Sequence, residues 1–504
     1  MSVATVRSRA LSAASALPVI VEVHLAAGLP AFSIVGLPDL EVRESRERVR
    51  AALQNCNFEF PVRRITVNLA PADLPKESGG FDLPIALGIL AASQQIPSKS
   101  LENREFSGEL SLTGALRPVR GAFAIACQAA RDQAPGAPSI ELYLPMANAA
   151  EGALVPGIDV FGASTLLDLC AHLRRATPSP VHRAVAVEPP PVPRTPDMAD
   201  VVGQSVARRA LEVAAAGAHH LLMTGPPGAG KSMLAARLPG LLPAMTTPEA
   251  LAVAALASAS RNGFNPSNWR RRPFRAPHHS ASAPALIGGG NPPRAGEVTL
   301  AHHGVLFLDE LAEFERRTLE MLREPLENGV VTISRAAWQL EFPACCQVVA
   351  AMNPCPCGWH GDPRGRCRCT PDRVDRYQQR ISGALLDRID IRLSVNAVQP
   401  DELAPSAATG EPSAAIAARV AAARNRQVER QGKANRLLTA AETDAHCRLG
   451  AKSAALVKDA LARFGWSART HFRVLRLART VADLAGVADI DVEHVAEAIQ
   501  YQRG

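Results

Sequence analysis

A glycine-rich octapeptide between an apolar run and a helical run constrains this chain more than any other feature. Residues 225–232 read GPPGAGKS, and they follow the apolar residues 221–223. In such a loop, successive backbone N–H groups turn inward around phosphate groups, and the next helix adds its positive N-terminal end. The lysine reaches the β and γ oxygens, and the serine hydroxyl completes the shell of a Mg²⁺ ion. The pattern predicts that the chain binds a nucleoside triphosphate, ATP, through Gly225, Pro226, Pro227, Gly228, Ala229, Gly230, Lys231 and Ser232.

A second apolar run ends in two carboxylates. Residues 304–308 lead into Asp309 and Glu310, and a helix is expected over residues 311–324. A central strand of a parallel sheet is apolar on both faces, and ligands bind where such strands end. Asp309 is therefore predicted to hold Mg²⁺ through water, and Glu310 to orient the water that attacks the γ-phosphate. A strand that simply ends in a helix cap at Asp309 is compatible with the same pattern.

Length and composition indicate a folded protein of several domains. A chain of 504 residues is too long for one core, and 47% hydrophobic with 20% charged residues is ordinary for globular proteins. The net charge of +7 comes from residues after about position 180. This excess suits contact with a polyanion such as nucleic acid, and solvated surface charge explains it equally well.

The sequence favours a cytoplasmic location. It contains no stretch of about 18 uncharged apolar residues, so no membrane span is predicted. Arg7 and Arg9 before residues 10–21 resemble a short secretory signal, but residues 19–25 alternate as a strand of a mature domain does. Ten cysteines, four of them within residues 355–369, indicate a reducing compartment rather than a disulfide framework.

The crowded cysteines form two C-x-C pairs, Cys355 with Cys357 and Cys367 with Cys369. Four thiols are enough for a tetrahedral Zn²⁺ site, although the spacing is tighter than the usual C-x₂₋₄-C. Such a site would be structural. The alternative is a Gly- and Arg-rich loop that carries reduced cysteines.

Two histidine pairs also suggest metal binding, His278 with His279 and His302 with His303. Neighbouring residues on a strand point to opposite sides, so neither pair is expected to converge on one ion. Structural or phosphate-proximal roles are predicted instead.

A proline-rich passage over residues 187–196 marks the clearest domain boundary, because it fits neither a helix nor a central strand. Residues 1–172 mix strands and helices, whereas residues after about 397 are rich in Ala, Leu and Arg at helical spacing. The predicted organisation is an α+β domain over 1–172, a linker over 173–196, an ATPase core over 197–396 and a helical lid over 397–504.

The first domain resembles the ribosomal-S5-like fold of Lon proteolytic domains, through residues 75–80 (PKESGG) and 108–119 (GELSLTGALRPV). The resemblance places Gly80 where the nucleophile belongs and Phe123 where the lysine base belongs. Ser78 with Lys76 is a conceivable shifted pair, but two positions apart in a turn is poor geometry for nucleophile and base. No peptidase activity is predicted.

Several motifs together resemble the Mg-chelatase-like AAA+ ATPases of the ComM (YifB) type, and the resemblance covers nearly the whole chain. They are the two phosphate-site motifs and the segments PFRAPHHS (273–280), LIGGG (286–290), LREPLE (322–327) and NPCPCG (353–358). The resemblance implies an α/β fold with a P-loop parallel-sheet core and a C-terminal helical lid. It also implies self-association into a hexameric ring and branch migration of single-stranded or branched DNA during natural transformation.

The same resemblance assigns roles to residues outside the phosphate loop. Val202 lies in the segment that contacts adenine, and Asn353 matches sensor 1, which orients the water and detects the γ-phosphate. Arg388 matches an arginine finger that reaches the ATP of the adjacent subunit, with Arg380 as the competing candidate. Arg469 matches the sensor 2 arginine. A planar, permanently charged guanidinium suits both arginine roles, because charge builds on the phosphoryl oxygens.

Two insertions into a central pore are also implied, a helix-2 insert near 280–298 and a hairpin over 329–342. Gly288, Gly289 and Gly290 permit sharp turns in the first. In the second, Arg335 and Trp338 offer charge and stacking to a threaded strand. The alternative is a plain hairpin in which the tryptophan is packed.

Two other functions fit parts of the sequence. One is a chelatase-type ATPase that remodels a metal-insertion partner. The other is an ATP-dependent protease or chaperone that uses the first domain.

Overall fold

The structure is a computed structural model of the chain. It describes all residues except 1, 13–14, 77–78, 135, 137, 176–177, 187–195, 291–292, 336–337, 398–409 and 503–504. Most of the proline-rich passage, and Ser78 of the shifted pair, therefore lie outside the described residues.

The chain divides into two units whose boundaries are not continuous in sequence. Unit 1 contains Met1–Pro191 together with Thr247–Trp269, and unit 2 contains Val192–Thr246 and Arg270–Gly504. The predicted organisation did not anticipate that a segment from within the 197–396 range packs with the first unit.

The strands differ greatly in length between the two units. In chain order they are β1 Ser2–Ser12, β2 Ser15–Ala26, β3 Ala31–Val35, β4 Arg64–Ala70, β5 Arg104–Phe106, β6 Glu109–Leu110, β7 Leu116–Arg117, β8 Glu141–Pro145, β9 Asp159–Ala163, β10 His182–Arg183, β11 Leu221–Thr224, β12 Phe274–Arg275, β13 Gly288–Gly289, β14 Arg294–Ala295, β15 Val305–Leu308, β16 Val330–Arg335, β17 Trp338–Pro343, β18 Gln347–Met352 and β19 Ile391–Ser394.

The helices are longest near the C-terminus. In chain order they are α1 Leu40–Asn55, α2 Asp82–Ala92, α3 Ala122–Arg131, α4 Met146–Gly152, α5 Leu166–Leu173, α6 Ser205–Gly217, α7 Lys231–Arg237, α8 Thr247–Ala259, α9 Ala283–Leu286, α10 Glu297–Leu300, α11 Arg316–Glu320, α12 Arg323–Asn328, α13 Pro371–Gln378, α14 Gly383–Leu386, α15 Ser413–Gln431, α16 Ala440–His446, α17 Ala451–Phe464, α18 Ala468–Ala485 and α19 Val492–Gln500.

Unit 1 is built on one mixed sheet with the strand order β10-β9-β8-β5-β1-β2-β4-β3. Helix α2 is apolar on all sides and buried along its whole length, which places it in the centre of the unit 1 core. The mixed architecture agrees with the predicted α+β class, whereas the likeness to the S5 fold stays a prediction.

Helix α8 belongs to unit 1 because its segment packs on α3. The Phe123 ring lies 5.0 Å from Phe264 and 5.6 Å from Trp269, measured between ring centroids. The Ser258 hydroxyl accepts a hydrogen bond from the Phe123 backbone N–H at 3.1 Å. Phe123 thus serves as a core anchor at the position where a Lon-type site would carry lysine.

Unit 2 contains a parallel sheet with the strand order β12-β15-β18-β11-β19. Every residue of β15 and β18 is buried, as expected for central strands covered on both faces. Helices α15, α17, α18 and α19 share one hydrophobic core with this sheet. The predicted helical C-terminal region is therefore confirmed, and it packs within the same unit as the sheet.

One predicted element is wrong in detail. The helix expected over residues 311–324 is broken into a short 3₁₀ turn, Leu311–Glu313, followed by α11 and α12. The break follows from the backbone, because Phe314 and Glu315 adopt extended ψ angles that no helix accommodates. Among the described residues, no helix is long and apolar enough to cross a membrane.

Candidate functional site

Three neighbouring strands bring the main motifs to one edge of the unit 2 sheet. β18 lies between β15 and β11, and all three run parallel. The glycine-rich loop follows β11, the carboxylates Asp309 and Glu310 follow β15, and Asn353 follows β18. The carboxyl ends of adjacent parallel strands are where open α/β sheets bind ligands.

The backbone of the loop explains its glycines. Gly228 and Gly230 have φ angles of 77° and 86°, which side-chain-bearing residues rarely adopt. A Cβ at Gly225 would lie 2.1 Å from the carbonyl oxygen of Val395, so only glycine fits at the start of the loop. A Cβ at Gly228 would meet nothing within 4 Å, so this part of the loop is open to a ligand.

The predicted phosphate and magnesium residues contact one another. The Ser232 hydroxyl donates to Asp309 Oδ2 at 2.6 Å, which joins the two expected magnesium ligands. Lys231 Nζ donates to Asn353 Oδ1 at 3.2 Å and to the carbonyl oxygens of Gly225 and Pro226 at 2.6 and 2.9 Å. Burial lowers the pKa of Lys231, and the charges of the neighbouring carboxylates oppose that shift.

These residues fit a magnesium-bound triphosphate. A hydroxyl and a carboxylate are the hard oxygen donors that Mg²⁺ prefers. The ammonium group of Lys231 is held by two carbonyl oxygens of the loop, those of Gly225 and Pro226, and a loop of this type binds phosphate through its backbone N–H groups. The site therefore has the chemistry to bind phosphate groups and to place a carboxylate near them.

Glu310 has an exposed side chain. Its φ angle is 52°, in the left-handed region, and 53% of its side chain is accessible. His279 Nδ1 lies 2.9 Å from Glu310 Oε2. Sequence reasoning missed this contact, because the two residues are far apart in the chain and no local pattern links them.

The expectation that adjacent histidines point to opposite sides is wrong. The rings of His278 and His279 lie 4.1 Å apart, and those of His302 and His303 lie 3.9 Å apart, measured between centroids. Neither pair lies in a strand, so the alternation of side chains along strands does not apply.

The segment predicted to contact adenine lies against the phosphate loop. Val202 is half-buried, and Gln204 two residues later donates from Nε2 to the carbonyl oxygen of Ala229 at 3.3 Å. The same nitrogen donates to the carbonyl oxygen of Asn396 at 2.7 Å. Gln204 thus joins the predicted adenine segment to the phosphate loop. The sequence did not predict this contact.

The predicted finger and sensor 2 arginines share a cavity of about 530 Å³. Arg388 and Arg469 both line it, and Arg388 hydrogen-bonds to Glu327, lowering the pKa of that carboxyl. No described residue of the phosphate loop lines this cavity. The competing finger, Arg380, donates to the carbonyl oxygen of Ala312 and pairs with Glu313, both at 3.1 Å.

The four clustered cysteines converge. Their sulfur atoms all lie within 4.8 Å of one another, and three separations are 3.4, 3.7 and 3.8 Å. Zinc–sulfur bonds of about 2.3 Å in a tetrahedron place sulfur atoms about 3.8 Å apart. Backbone N–H groups of Arg368 and Trp359 lower the pKa of Cys357 to about 6, whereas the pKa values of Cys367 and Cys369 are raised, so Cys357 is the thiol that ionises most readily. The cluster therefore fits Zn²⁺.

Each of the two predicted insertions contains a hairpin, and the two hairpins contact each other. β13 pairs with β14 in the first, and β16 pairs with β17 in the second. A Cβ at Gly288 would lie 3.0 Å from Ile333 Cδ1, so the hairpins pack closely. The side chains of Arg335 and Trp338, predicted to contact DNA, lie outside the described part of the structure.

Comparison with protein families gives three consecutive matches. Residues 21–137 match subunit ChlI of Mg-chelatase, and residues 197–403 match magnesium chelatase, subunit ChlI. Residues 410–502 match the C-terminal part of the same subunit.

Full-length relatives are similar throughout. The competence protein ComM of Haemophilus influenzae is 46% identical over 505 residues, covering 100% of this chain and 98% of the relative. The YifB proteins of Salmonella typhimurium and Escherichia coli are 45% and 44% identical, each over 100% of this chain and 97% of the relative. With the sheet, the phosphate loop and the cysteine cluster as described, this chain belongs to the magnesium chelatase-like proteins of the ComM/YifB type.

Proposed function

We propose that this chain is an ATP-hydrolysing motor of the AAA+ class that assembles as a ring and acts on DNA. One observation carries the ATPase part. At one edge of the parallel sheet, Lys231 hydrogen-bonds to Asn353, and the next residue, Ser232, hydrogen-bonds to Asp309. This is the arrangement that phosphoryl transfer from a nucleoside triphosphate needs, because catalysis there consists mainly of positioning and charge stabilisation.

Each residue has a distinct part in the proposed reaction. The loop N–H groups and Lys231 bind the phosphates, with Lys231 exchanging its contacts to Gly225 and Pro226 for phosphate oxygens. Glu310 orients the attacking water, and Asn353 holds it beside the γ-phosphate. Ser232, and Asp309 through water, would hold a Mg²⁺ ion, which would supply charge neutralisation for the phosphates.

The arginines support assembly into a ring. Arg388 and Arg469 line a cavity that contains no described phosphate-loop residue, so the same chain's loop does not place ATP against them there. A second copy that presents its bound ATP to this cavity would receive both guanidinium groups. Heterologous contacts of this kind close into rings, and we propose six subunits by likeness to related ATPases.

Three observations support DNA as the substrate of the motor. The net charge is +7, and the two insertion hairpins lie together, as a paired pore element requires. A relative that is 46% identical over this whole chain is named a competence protein. We infer that ATP hydrolysis moves these hairpins along single-stranded or branched DNA and drives branch migration during natural transformation.

A structural zinc ion completes the proposal. The four cysteine sulfurs would hold it, with all coordination positions filled by protein, so it stabilises the loop beside Asn353 without taking part in the chemistry.

The test begins with purified protein and ATP. We expect Lys231→Ala and Glu310→Gln to abolish phosphate release, because one loses phosphate binding and the other water activation. Lys452→Ala changes an exposed lysine of α17 and serves as the matched control with unchanged turnover.

A labelled four-way DNA junction then tests the substrate. We expect strand exchange that requires ATP and is absent with Glu310→Gln. Normal ATP hydrolysis with unchanged junctions would instead favour a chelatase-type ATPase that remodels a protein partner, the alternative that the magnesium chelatase family match supports. A protease is disfavoured, because Gly80 offers no nucleophile and Phe123 is buried among aromatic rings.

A further inference from the structure

The arginine predicted to act as a finger lies on a short loop between two elements. Arg388 follows helix α14, which ends at Leu386, and precedes strand β19, which begins at Ile391. We call residues 386–390 the finger loop. Because these residues lie outside the ladder of the sheet, their carbonyl groups need other partners. The place of Arg388 therefore depends on the side chains that hold this loop.

Two side chains from the C-terminal helical region hold the finger loop on both sides of Arg388. Arg473 Nη2 donates to the carbonyl oxygen of Asp387, the residue directly before Arg388. Gln502 Nε2 donates to the carbonyl oxygen of Asp390, two residues after Arg388, at 2.5 Å. The backbone that carries the finger is thus fixed before and after it.

The two holding side chains also bind each other. Arg473 Nη1 donates to Gln502 Oε1 at 3.0 Å, and both residues are buried. The residue before Gln502, Tyr501, accepts a hydrogen bond at its carbonyl oxygen from the Arg392 backbone N–H at 2.8 Å. Arg473, Gln502 and the finger loop therefore form one hydrogen-bonded unit that is also tied to β19.

The hydrogen-bond partners of Arg473 are neutral, although buried charges are usually paired with a carboxylate. Its donors reach a backbone carbonyl and a side-chain amide oxygen. The carboxylate oxygen Asp387 Oδ1 lies 3.9 Å away, beyond hydrogen-bond distance. An ion pair therefore does not explain an arginine at this position, whereas a fork of donors that reaches two acceptors at once does.

Helix α18 links this unit to the predicted sensor 2 arginine. Arg473 lies one turn after Arg469 on α18, so the two side chains are neighbours on one face of the helix. Both line the cavity that Arg388 also lines. A single helix thus carries Arg469 and holds the loop that carries Arg388.

We propose that Arg473 is a positioning residue which, together with Gln502, sets the place of Arg388 relative to Arg469, so that both guanidinium groups reach one triphosphate on the neighbouring chain. This rests on the proposed function. Arg473 acts through Arg388 and contacts no phosphate itself. Without it the Asp387 carbonyl is no longer held, Arg388 departs from its place, and the charge that builds on the phosphoryl oxygens is less well stabilised.

The first test measures ATP hydrolysis by Arg473→Met, which keeps an unbranched side chain without a donor. We expect kcat to fall about ten- to a hundredfold, the loss that a displacement of about 1 Å produces at a catalytic group. KM for ATP should not change, because the phosphate loop that binds ATP is unaltered. Arg448→Met changes an exposed arginine between α16 and α17 and is the control with unchanged turnover.

Gln502→Ala tests the same loop from its other side. Gln502 carries no charge and, among the described residues, is not one that lines the cavity. A fall in kcat with this variant can therefore come only through the finger loop, and we expect a fall in the same range as for Arg473→Met. Thermal unfolding confirms that each variant is folded at the assay temperature. Should Arg473→Met not fold, Gln502→Ala takes its place in every measurement.

A mixing experiment shows on which chain the effect is felt. Arg473→Met is mixed in equal amounts with Lys231→Ala, whose arginines are intact. If Arg473 acts through Arg388 on the neighbour's ATP, about a quarter of the parent turnover should return, because half of the phosphate loops and half of the fingers remain intact. Damage to a chain's own phosphate loop would allow no such recovery.

Three results would overturn the proposal. Parent turnover in both Arg473→Met and Gln502→Ala would show that the finger loop does not need these contacts. A fall with Arg473→Met alone would show that its charge acts directly in the cavity. No recovery on mixing, where Arg388→Ala mixed with Lys231→Ala does recover, would place the effect outside the arginine site. Failure of the proposed function is distinguishable, because the parent would release no phosphate or the Arg388→Ala mixture would itself not recover.

Discussion

His220 stands immediately before β11, the strand that leads into the phosphate loop, and its ring is fully buried. Its ring Nδ1 accepts a hydrogen bond from the Val348 backbone N–H at 3.0 Å, and its backbone N–H donates to Asp390 Oδ2 at 2.8 Å. Burial lowers the pKa of His220 to about 3. The residue is therefore neutral in the folded protein and joins the strands β11, β18 and β19 through their backbones.

We expect this histidine to make the protein sensitive to acid. Above pH 6.5 the ring is neutral whether the chain is folded or unfolded, so its ionisation does not lower the free energy of unfolding. As the pH falls from 6.5 toward 3, the His220 ring binds a proton in the unfolded chain but not in the folded chain. The free energy of unfolding then falls by about 1.4 kcal/mol for each pH unit from this group.

His220→Asn tests the expectation, because the Asn oxygen accepts from Val348 N–H in place of Nδ1 and does not titrate. The free energy of unfolding is measured in urea at pH 7.5 and at pH 5.0. Its fall between the two pH values should be about 2 kcal/mol smaller in the variant than in the parent. Equal losses in both proteins would contradict this account.

Among the elements, the cysteine loop that follows β18 lies against the phosphate loop. Gly358 has a φ angle of 81°, and a Cβ there would lie 2.6 Å from Pro227 Cδ. The backbone of the cysteine loop therefore packs directly on the phosphate loop. Any loss of order in the one is transmitted to the other.

Removal of the metal is expected to weaken both the cysteine loop and the phosphate loop. Purified protein should contain one zinc per chain, and a chelator or the double change Cys357→Ser with Cys367→Ser should remove it and reduce ATP binding. The unfolding midpoint should fall by about 3 °C for each kcal/mol lost.

Cys345→Ser changes an exposed cysteine outside the cluster and should retain the metal. Elemental analysis that finds no zinc in the unsubstituted protein, with a midpoint unaffected by chelator, would exclude the site.

Across the whole molecule, the two units are interleaved in sequence. The chain leaves unit 2 after the phosphate loop and α7, contributes α8 to unit 1, and returns at Arg270. The segment Thr247–Trp269 of unit 1 therefore lies in sequence between the phosphate loop and the carboxylates Asp309 and Glu310. The arginine-lined cavity, in turn, contains no described residue of the phosphate loop. Under the proposed function, a complete site would therefore combine two copies of the chain.

Mixing two inactive variants tests that requirement. Lys231→Ala destroys the phosphate loop, and Arg388→Ala removes the finger. If each site combines one chain's loop with its neighbour's arginine, rings mixed in equal amounts should recover about a quarter of the parent turnover. Each variant alone should remain inactive. A mixture that is as inactive as its components would show that Arg388 does not act across an interface.

Local patterns were sufficient for the elements that carry the nucleotide site. The apolar runs of β15 and β18 and the glycines at 225–230 specify buried strands and a phosphate loop by short-range sterics and burial. The helical character of the C-terminal part was likewise predicted, because the periodicity of its helices is long and regular. The pair Asp309 and Ser232 was predicted because both belong to motifs whose geometry is local.

Only the tertiary structure decided which distant residues meet. The His279–Glu310 contact, the cavity shared by Arg388 and Arg469, and the packing of α8 on α3 depend on how strands and loops far apart in the chain come together. Periodicity reports which face of an element is buried and not which partner covers it. The sequence by itself therefore predicted the chemistry of a phosphate site, while the contacts around that site follow from long-range packing.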